Sequence, residues 1–145
     1  MAHFLFNFSE GERQQARALL GAKMWGVARD ERHRDALAPG DLALIYLAAE
    51  AELVGCAEVA TAVHDWSPSE AEAYPGDSPS GVLLSRAEDW DPAVPMASVV
   101  QRIDPTASSP RVQANAAAGF QMGVVRIDDF EYEAALAVSR DKQGT

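Results

Sequence analysis

Pro39-Gly40-Asp41-Leu42-Ala43-Leu44-Ile45-Tyr46-Leu47 and, six residues on, Leu53-Val54-Gly55-Cys56-Ala57-Glu58-Val59-Ala60 decide the fold of this chain. The first three residues have turn chemistry. Leu42–Leu47 and Leu53–Ala60 are apolar runs of strand length, rich in β-formers. The short connection from Ala48 to Glu52 makes them an antiparallel hairpin. Gly55 inside the second strand marks a bulge or a close backbone approach.

Working outward, His3-Phe4-Leu5-Phe6-Asn7-Phe8 is a strand with aromatics at alternate positions. Ser9-Glu10-Gly11-Glu12 has the S-x-x-E form of a capping box. The helix it starts runs to about Leu20, with Gly21 as its stop. Arg13 and Arg17 form its polar face, and Ala16, Leu19 and Leu20 face inward. Arg29 to Leu37 is a polar segment of one or two helical turns. Residues 64–80 hold three prolines and no apolar period, which predicts a long loop. Gly81–Glu88 resumes as a strand. Asp91–Pro95 leads into a short helix over Met96–Val100, and residues 104–118 are uninformative. Phe120–Ile127 is the last strand, and Asp128-Asp129-Phe130-Glu131 caps a helix to Val138. The predicted organisation is one domain over 1–138 with a frayed tail over 139–145. It is an α+β fold, a small mixed β-barrel of five to six strands flanked by helices.

The chain has 145 residues, 48% hydrophobic and 23% charged, ordinary globular usage that can bury a core without staples. No apolar run approaches the roughly 18 residues of a membrane span. The first residues lack the basic-then-apolar pattern of a signal peptide. Cys56 is the single cysteine, so neither an internal disulfide nor a zinc knuckle is expected. A cytoplasmic address, no membrane partner and no cofactor or metal follow as expectations. The net charge of −10 argues against coating nucleic acid by bulk electrostatics. Yet residues 1–34 carry six of the twelve basic side chains and only four acids, so that stretch is positive and the remainder strongly negative. Such a distribution fits a protein that touches phosphate in one place, or ordinary sampling of surface charge. No phosphate-binding loop, dinucleotide fingerprint or nucleophile elbow is present. His3, His33 and His64 lack metal-ligand spacing. Glu88 and Asp89 are neighbours on a strand and point to opposite faces, so they do not form a proton-sharing pair.

The aromatic first strand, Trp25-Gly26-Val27, Pro39 to Tyr46, Leu53 to Val59, Val94-Pro95 and Gly123-Val124-Val125-Arg126-Ile127, in this order, resemble the EVE domain family. That family belongs to the PUA-like superfamily, with the YTH readers of methylated adenine as relatives. The resemblance covers roughly residues 3–137. The family's Ser-Glu-Pro is replaced here by Asn7-Phe8-Ser9-Glu10-Gly11. Its tryptophan before the strand at residue 81 is absent, and Trp66 and Tyr74 stand in that loop instead.

The resemblance implies a PUA-like barrel whose pocket takes in one modified base, with 5-methylcytosine in DNA as the expected ligand. It implies a non-enzymatic reader, with a separate restriction nuclease as an expected partner because the chain has no room for one. Trp25 matches the family's pocket tryptophan; otherwise it is a core residue. Phe8 and Ser9 fall at the mouth of the first strand, though Phe8 fits the core equally. Asn7 can bond a base edge or a turn backbone. Tyr46 belongs to a buried strand and fits the core better than the pocket. Trp66 and Tyr74 are large aromatics in a polar loop, suited to the pocket or to DNA. Asp89 can accept the exocyclic amine of cytosine or end a strand as a solvated charge. Phe120 opens the last strand as core or pocket lining. Arg29, Arg32, His33 and Arg34 are the densest basic cluster, able to hold flanking phosphates or to pair with Asp30, Glu31 and Asp35. The alternatives are a reader of modified RNA and, less favoured, an ASCH-like amidohydrolase acting on acylated cytidine. The latter needs a lysine, a threonine and a glutamate, and Lys23 has no threonine nearby in sequence.

Overall fold

Asp41 fixes where the first strand meets the third. In a computed structural model, which describes residues 2–8, 13–27, 34–47, 50–76, 78–103 and 124–143, the Asp41 carboxylate is buried. One oxygen accepts from the Ala2 amide at 2.9 Å and the other from the Ala38 amide at 3.0 Å. Gly40 turns the chain ahead of it with φ 91°, a conformation only glycine adopts cheaply. Leu42 then donates to the Ala2 carbonyl at 3.0 Å. Strand β1 (His3–Asn7) therefore runs parallel to β3 (Leu42–Leu47), from His3 opposite Leu42 to Asn7 opposite Tyr46.

The remaining described elements are α1 (Arg13–Ala22), β2 (Met24–Gly26), a 3-10 turn at Arg34–Ala36, β4 (Glu52–Val59), β5 (His64–Asp65), α2 (Pro68–Ala73), β6 (Ser80–Pro95), α3 (Met96–Ile103), β7 (Val124–Ile127) and α4 (Asp129–Gln143). They form a curled seven-stranded sheet in the order β2-β6-β4-β3-β1-β7, with β5 paired to the start of β6. Only β1 and β3 are parallel among these pairs. This is a mixed α+β half-barrel of PUA-like type, as expected.

Alternation along β1 sorts its side chains into two cores. Phe4 and Phe6 join Leu19, Leu20, Trp25 and Ile45 under α1. Leu5 joins Leu44, Tyr46, Trp90, Val99 and Tyr132 under α3 and α4. Helix α1 buries Ala16, Leu19 and Leu20, the spacing of a single helical face.

Several boundaries differ from expectation. Helix α1 passes through Gly21 and ends at Ala22; the next residue, Lys23, is left-handed with φ 56°, and its amide donates to the Leu20 carbonyl at 3.1 Å. Trp25 lies in a strand because Met24–Gly26 pairs with Gly81–Leu83. Residues 64–80 are not a loop: they contain β5 and α2. Ser67 caps α2, Pro68 fits its first turn, and Glu70 returns a bond to the Ser67 amide at 2.8 Å. Strand β6 runs 16 residues to Pro95 and helix α3 continues to Ile103. Helix α4 reaches Gln143 rather than Val138, with Ser139 buried and Asp141 paired to Arg102 at 3.3 Å. The capping box at 9–12, most of the polar segment at 29–33 and the start of the last strand at 120–123 lie outside the described residues.

Gly55 makes the close approach its position suggested, since a Cβ there would sit 2.1 Å from the Glu88 carbonyl oxygen. The ladder also breaks at this level. Leu53 pairs with Val94 and Gly55 with Asp89, so Trp90, Asp91, Pro92 and Ala93 stand opposite Val54 alone. This bulge lets β6 carry Pro92 without losing a ladder bond.

Replacing Asp41 by alanine removes two charge-assisted bonds, one that ties the start of β1 to β3 and one that closes the turn from Ala38. The expected cost is about 2–4 kcal/mol in denaturant unfolding. A loss under about 1 kcal/mol would show that the register is set elsewhere.

Candidate nucleic-acid interface

The end of β1 brings two of the sequence candidates, Trp25 and Phe8, together on one face. Trp25 is 5% exposed. Its ring stacks on Phe6 at a centroid distance of 5.8 Å and 22°, and Phe8 meets it edge-on at 5.5 Å and 72°. Trp25 and Phe8 therefore share one aromatic group on the α1 side. One face of the indole is already taken by Phe6.

Asn7 ends β1 opposite Tyr46, on the other face by strand alternation. Its side-chain nitrogen and oxygen are both shut off from solvent, and neither has a hydrogen-bond partner. Buried polar groups in folded proteins are overwhelmingly paired, and each orphan costs about 1–3 kcal/mol. Because both amide atoms are orphaned, the assignment of O and N does not affect this point. The third buried side-chain polar atom without a partner among the described residues is Arg13 Nε. All three flank the short connection between β1 and α1.

Arg13 and Arg17 lie one turn apart on α1, and both grip the β6 bulge. Arg13 Nη2 donates to the Trp90 carbonyl. Arg17 pairs with Asp89 at 2.9 Å and with Asp91 at 3.6 Å. Asp89 thus serves as an anchor for α1. Sequence reasoning missed this use, because two arginines at i, i+4 look like a solvated helix face. Tyr46 is 1% exposed in the core beneath α3 and α4, away from Trp25.

Trp66 and Tyr74 form a second aromatic group, with centroids 5.1 Å apart and His64 edge-on to Trp66 at 5.5 Å. Trp66 Nε1 donates to the Ser78 carbonyl at 2.9 Å. The Trp66 ring and the Tyr74 hydroxyl crowd Gly81 and Gly26, where a Cβ would clash with them. The two aromatic groups therefore flank consecutive residues of β2, Trp25 and Gly26. Arg34 donates to the Ser80 hydroxyl at 3.1 Å and lies 3.9 Å from Asp65. Ser80 in turn donates to the Val27 carbonyl at 2.8 Å. This arrangement ties the basic segment to the strands on either side. Ser9, Arg29, Arg32, His33 and Phe120 lie outside the described residues.

A separate cleft of about 290 Å³ is lined by Lys23, Cys56, Glu58, Arg86, Glu88 and Tyr132, among others. The Cys56 thiol donates to Glu88 at 2.9 Å. Burial, with Glu88 beside it, pushes that thiol up to about 12. It stays protonated at neutral pH and is a poor nucleophile. Burial first, and then Cys56, also raise the Tyr132 phenol. None of the described residues predicted to contact a base lines this cleft.

His64 Nδ1 lies 3.0 Å from the Ala62 carbonyl, and Nε2 lies 3.0 Å from the Glu70 carboxylate. The carbonyl first, and Glu70 second, raise His64 above 6.5. The Ser67 amide first, and His64 second, lower Glu70 below 4.5. Charged His64 therefore stabilises the fold fully below about pH 6.5, and that stabilisation fades as pH rises through its raised value. The Glu70 contribution is complete above about pH 4.5 and fades as pH falls. Both operate together between those limits. His64→Gln should lower the melting temperature most below about pH 6.5, with the gap from wild type closing as pH rises through the raised value of His64. A gap independent of pH would contradict this linkage.

No protein-family model matches the chain, and no curated protein matches it by sequence. Solved structures share its fold. A hypothetical protein from Leishmania major superposes with a TM-score of 0.63 at 18% identity, covering 99% of this chain and 97% of that one. Human THYN1, solved in complex with DNA containing 5-methylcytosine, gives 0.60 at 15% identity, covering 96% and 98%. The YTH domain of Zygosaccharomyces rouxii MRB1, solved in complex with N6-methyladenosine RNA, gives 0.60 at 13% identity, covering 94% and 86%. At these identities the likeness establishes the common PUA-like architecture.

Proposed function

We propose that this chain is a non-enzymatic reader of a modified nucleobase in nucleic acid, with 5-methylcytosine in DNA as the favoured target. The observation that carries the proposal is the buried, unpartnered amide of Asn7. A side chain that lowers stability without a compensating bond inside the chain is explained by a partner from outside it. An amide offers one acceptor and a donor side by side, which suits the edge of a base. The sequence resemblance to EVE domains and the architecture shared with THYN1 and the YTH domain support the same reading.

Asn7 and Trp25 belong to opposite faces of β1. A recess that uses both must lie off the end of the strand, where the chain leaves the sheet at Phe8. The indole has one face on Phe6, so it supplies a single wall. Extruding a base costs a few kcal/mol. Stacking on one aromatic returns roughly 1–3 kcal/mol, and enclosing one methyl group about 0.8 kcal/mol. The balance must come from polar contacts to the base and from phosphate contacts. For the latter, Arg29, Arg32 and His33 remain the proposed residues, with Arg34 anchoring their segment to Ser80. Trp66 and Tyr74 are proposed to pack behind β2 and to border the nucleic acid. Asp89 has Arg17 as its partner, so accepting a cytosine amine there requires that pair to open. A separate nuclease partner and a cytoplasmic address accompany this proposal. Hydrolysis is the weaker reading: Lys23 lines a cleft with Glu58 and Glu88, but among the described residues no threonine lines it.

Asn7→Leu separates a reader from a structural role. The substitution removes two orphaned polar atoms at similar volume, so unfolding stability should rise by about 1 kcal/mol or more. Affinity for a duplex containing 5-methylcytosine should fall at least about tenfold in a gel shift. The wild type should prefer that duplex to the plain one, with matched modified RNA as a third arm. Equal binding to methylated and plain duplexes would overturn the function, as would an Asn7→Leu protein that is less stable and binds unchanged.

A further inference from the structure

The cleft of about 290 Å³ lies on the face of the sheet away from Trp25 and Phe8, because its residues Cys56 and Tyr132 belong to the core under α3 and α4. The β4–β6 ladder sets its layout. Cys56 stands opposite Glu88, and Glu58 opposite Arg86. Alternation puts these four side chains on one face, in two rows about 7 Å apart. Lys23 enters from the other side of β6. Its carbonyl accepts from the Leu84 amide at 2.8 Å, which places it about one further row beyond Arg86. Charge is therefore sorted along the cleft. Lys23 is at one end, the Arg86–Glu58 pair is in the middle, and Glu88 is at the other end beside Cys56 and Tyr132.

The chain itself uses these groups unevenly. Both Glu58 oxygens have partners: Oε1 lies 3.7 Å from Arg86, and Oε2 accepts from the Ser85 hydroxyl at 2.8 Å. Glu88 engages Oε2 alone, accepting from the Cys56 thiol at 2.9 Å. Glu88 Oε1 and the Lys23 ammonium have no partner among the described residues. Burial keeps Cys56 and Tyr132 protonated, so neither adds a charge. The cleft thus holds two cations and two carboxylates. A phosphate would meet both carboxylates, and a simple amine would meet both cations. A ligand carrying both charges, correctly spaced, meets the opposite charge at each end. We propose that this cleft binds a small zwitterion, an ω-amino carboxylate, with its carboxylate between Lys23 and Arg86 and its ammonium on Glu88. The midpoint of the Lys23 and Arg86 rows lies about 10 Å along β6 from the Glu88 row. An α-amino acid carries its two charges on adjacent carbons and is too short to reach both ends, whereas an extended chain of about six carbons reaches them. The volume is at the small end for ligand sites, which suits such a molecule. The site is on the opposite face from the nucleic-acid interface and does not rest on the reader function.

The test titrates the full, isotope-labelled chain with four probes at neutral pH and fixed ionic strength: 6-aminohexanoate, hexanoate, hexylamine and glycine. Binding is read from the backbone amide resonances of Ala57, Ala87 and Glu88. The wild type should show saturable shifts with 6-aminohexanoate at millimolar concentration, and bind each of the other three at least about tenfold more weakly. Glu88→Gln keeps an acceptor for the Cys56 thiol and removes the charge. It should bind 6-aminohexanoate no better than hexanoate. Lys23→Met keeps the length of the side chain and should bind 6-aminohexanoate at least about tenfold more weakly than the wild type. Both substitutions are at exposed positions and should leave the melting temperature nearly unchanged. If one variant does not fold, the other and the wild-type preference decide. A wild type without saturable shifts, one that binds hexanoate or glycine as well as 6-aminohexanoate, or folded variants that keep the full preference would overturn the assignment. None of these outcomes bears on duplex binding.

Discussion

The parallel register of β1 against β3, held at its start by the Asp41 carboxylate on the Ala2 amide and by the Leu42 amide on the Ala2 carbonyl, is the constraint on which the rest depends. β1 is buried on both faces, so it has no solvent side to absorb an error. A slip of one residue would turn Phe4 and Phe6 into the core under α3 and α4, and Leu5 into the core under α1. The same register decides that Asn7, and not Phe6 or Phe8, stands beside Tyr46 at the end of the strand. An interaction at the start of β1 thereby positions an amide at its far end.

Stability and recognition pull in different directions around the connection that follows. Arg17 makes a salt bridge to Asp89 at 2.9 Å, and Arg13 bonds the Trp90 carbonyl, so α1 is secured to the β6 bulge. Beside these satisfied contacts sit the unpartnered atoms of Asn7 and Arg13. An apolar side chain at position 7 would serve the fold better. Keeping a costly polar group in a well-packed neighbourhood is typical of a site shaped by binding. The second aromatic group, Trp66 with Tyr74, is instead fully accounted for: its indole N–H has the Ser78 carbonyl, and its rings fill the space that two glycines leave.

Much of this was legible in the sequence, and the misses have physical causes. Strong alternation at Phe4 to Phe8 and the apolar runs at Leu42 and Leu53 located β1, β3 and β4, and Gly55 announced its close contact. Helix α2 escaped notice because a cap holds it rather than an apolar face: Ser67-Pro68-Ser69-Glu70 is itself a capping box, set among prolines that suggest a loop. The sequence ends β6 at Glu88 because Pro92 resembles a break, whereas Pro92 falls where the ladder has no partner to lose. Gly21 was overrated as a helix stop, since the left-handed residue proved to be Lys23. The isolation of Asn7 and the grip of Arg13 on the bulge depend on contacts between segments far apart in the chain, which no local pattern encodes.

The most direct test of the central claim is the side-chain amide resonance pair of Asn7, followed by NMR during titration with a duplex containing 5-methylcytosine and with its unmodified counterpart. Engagement of a base edge predicts that both amide protons shift and exchange more slowly with the methylated duplex, with much weaker changes for the plain one. Resonances that stay in place while the duplex binds elsewhere would contradict the account.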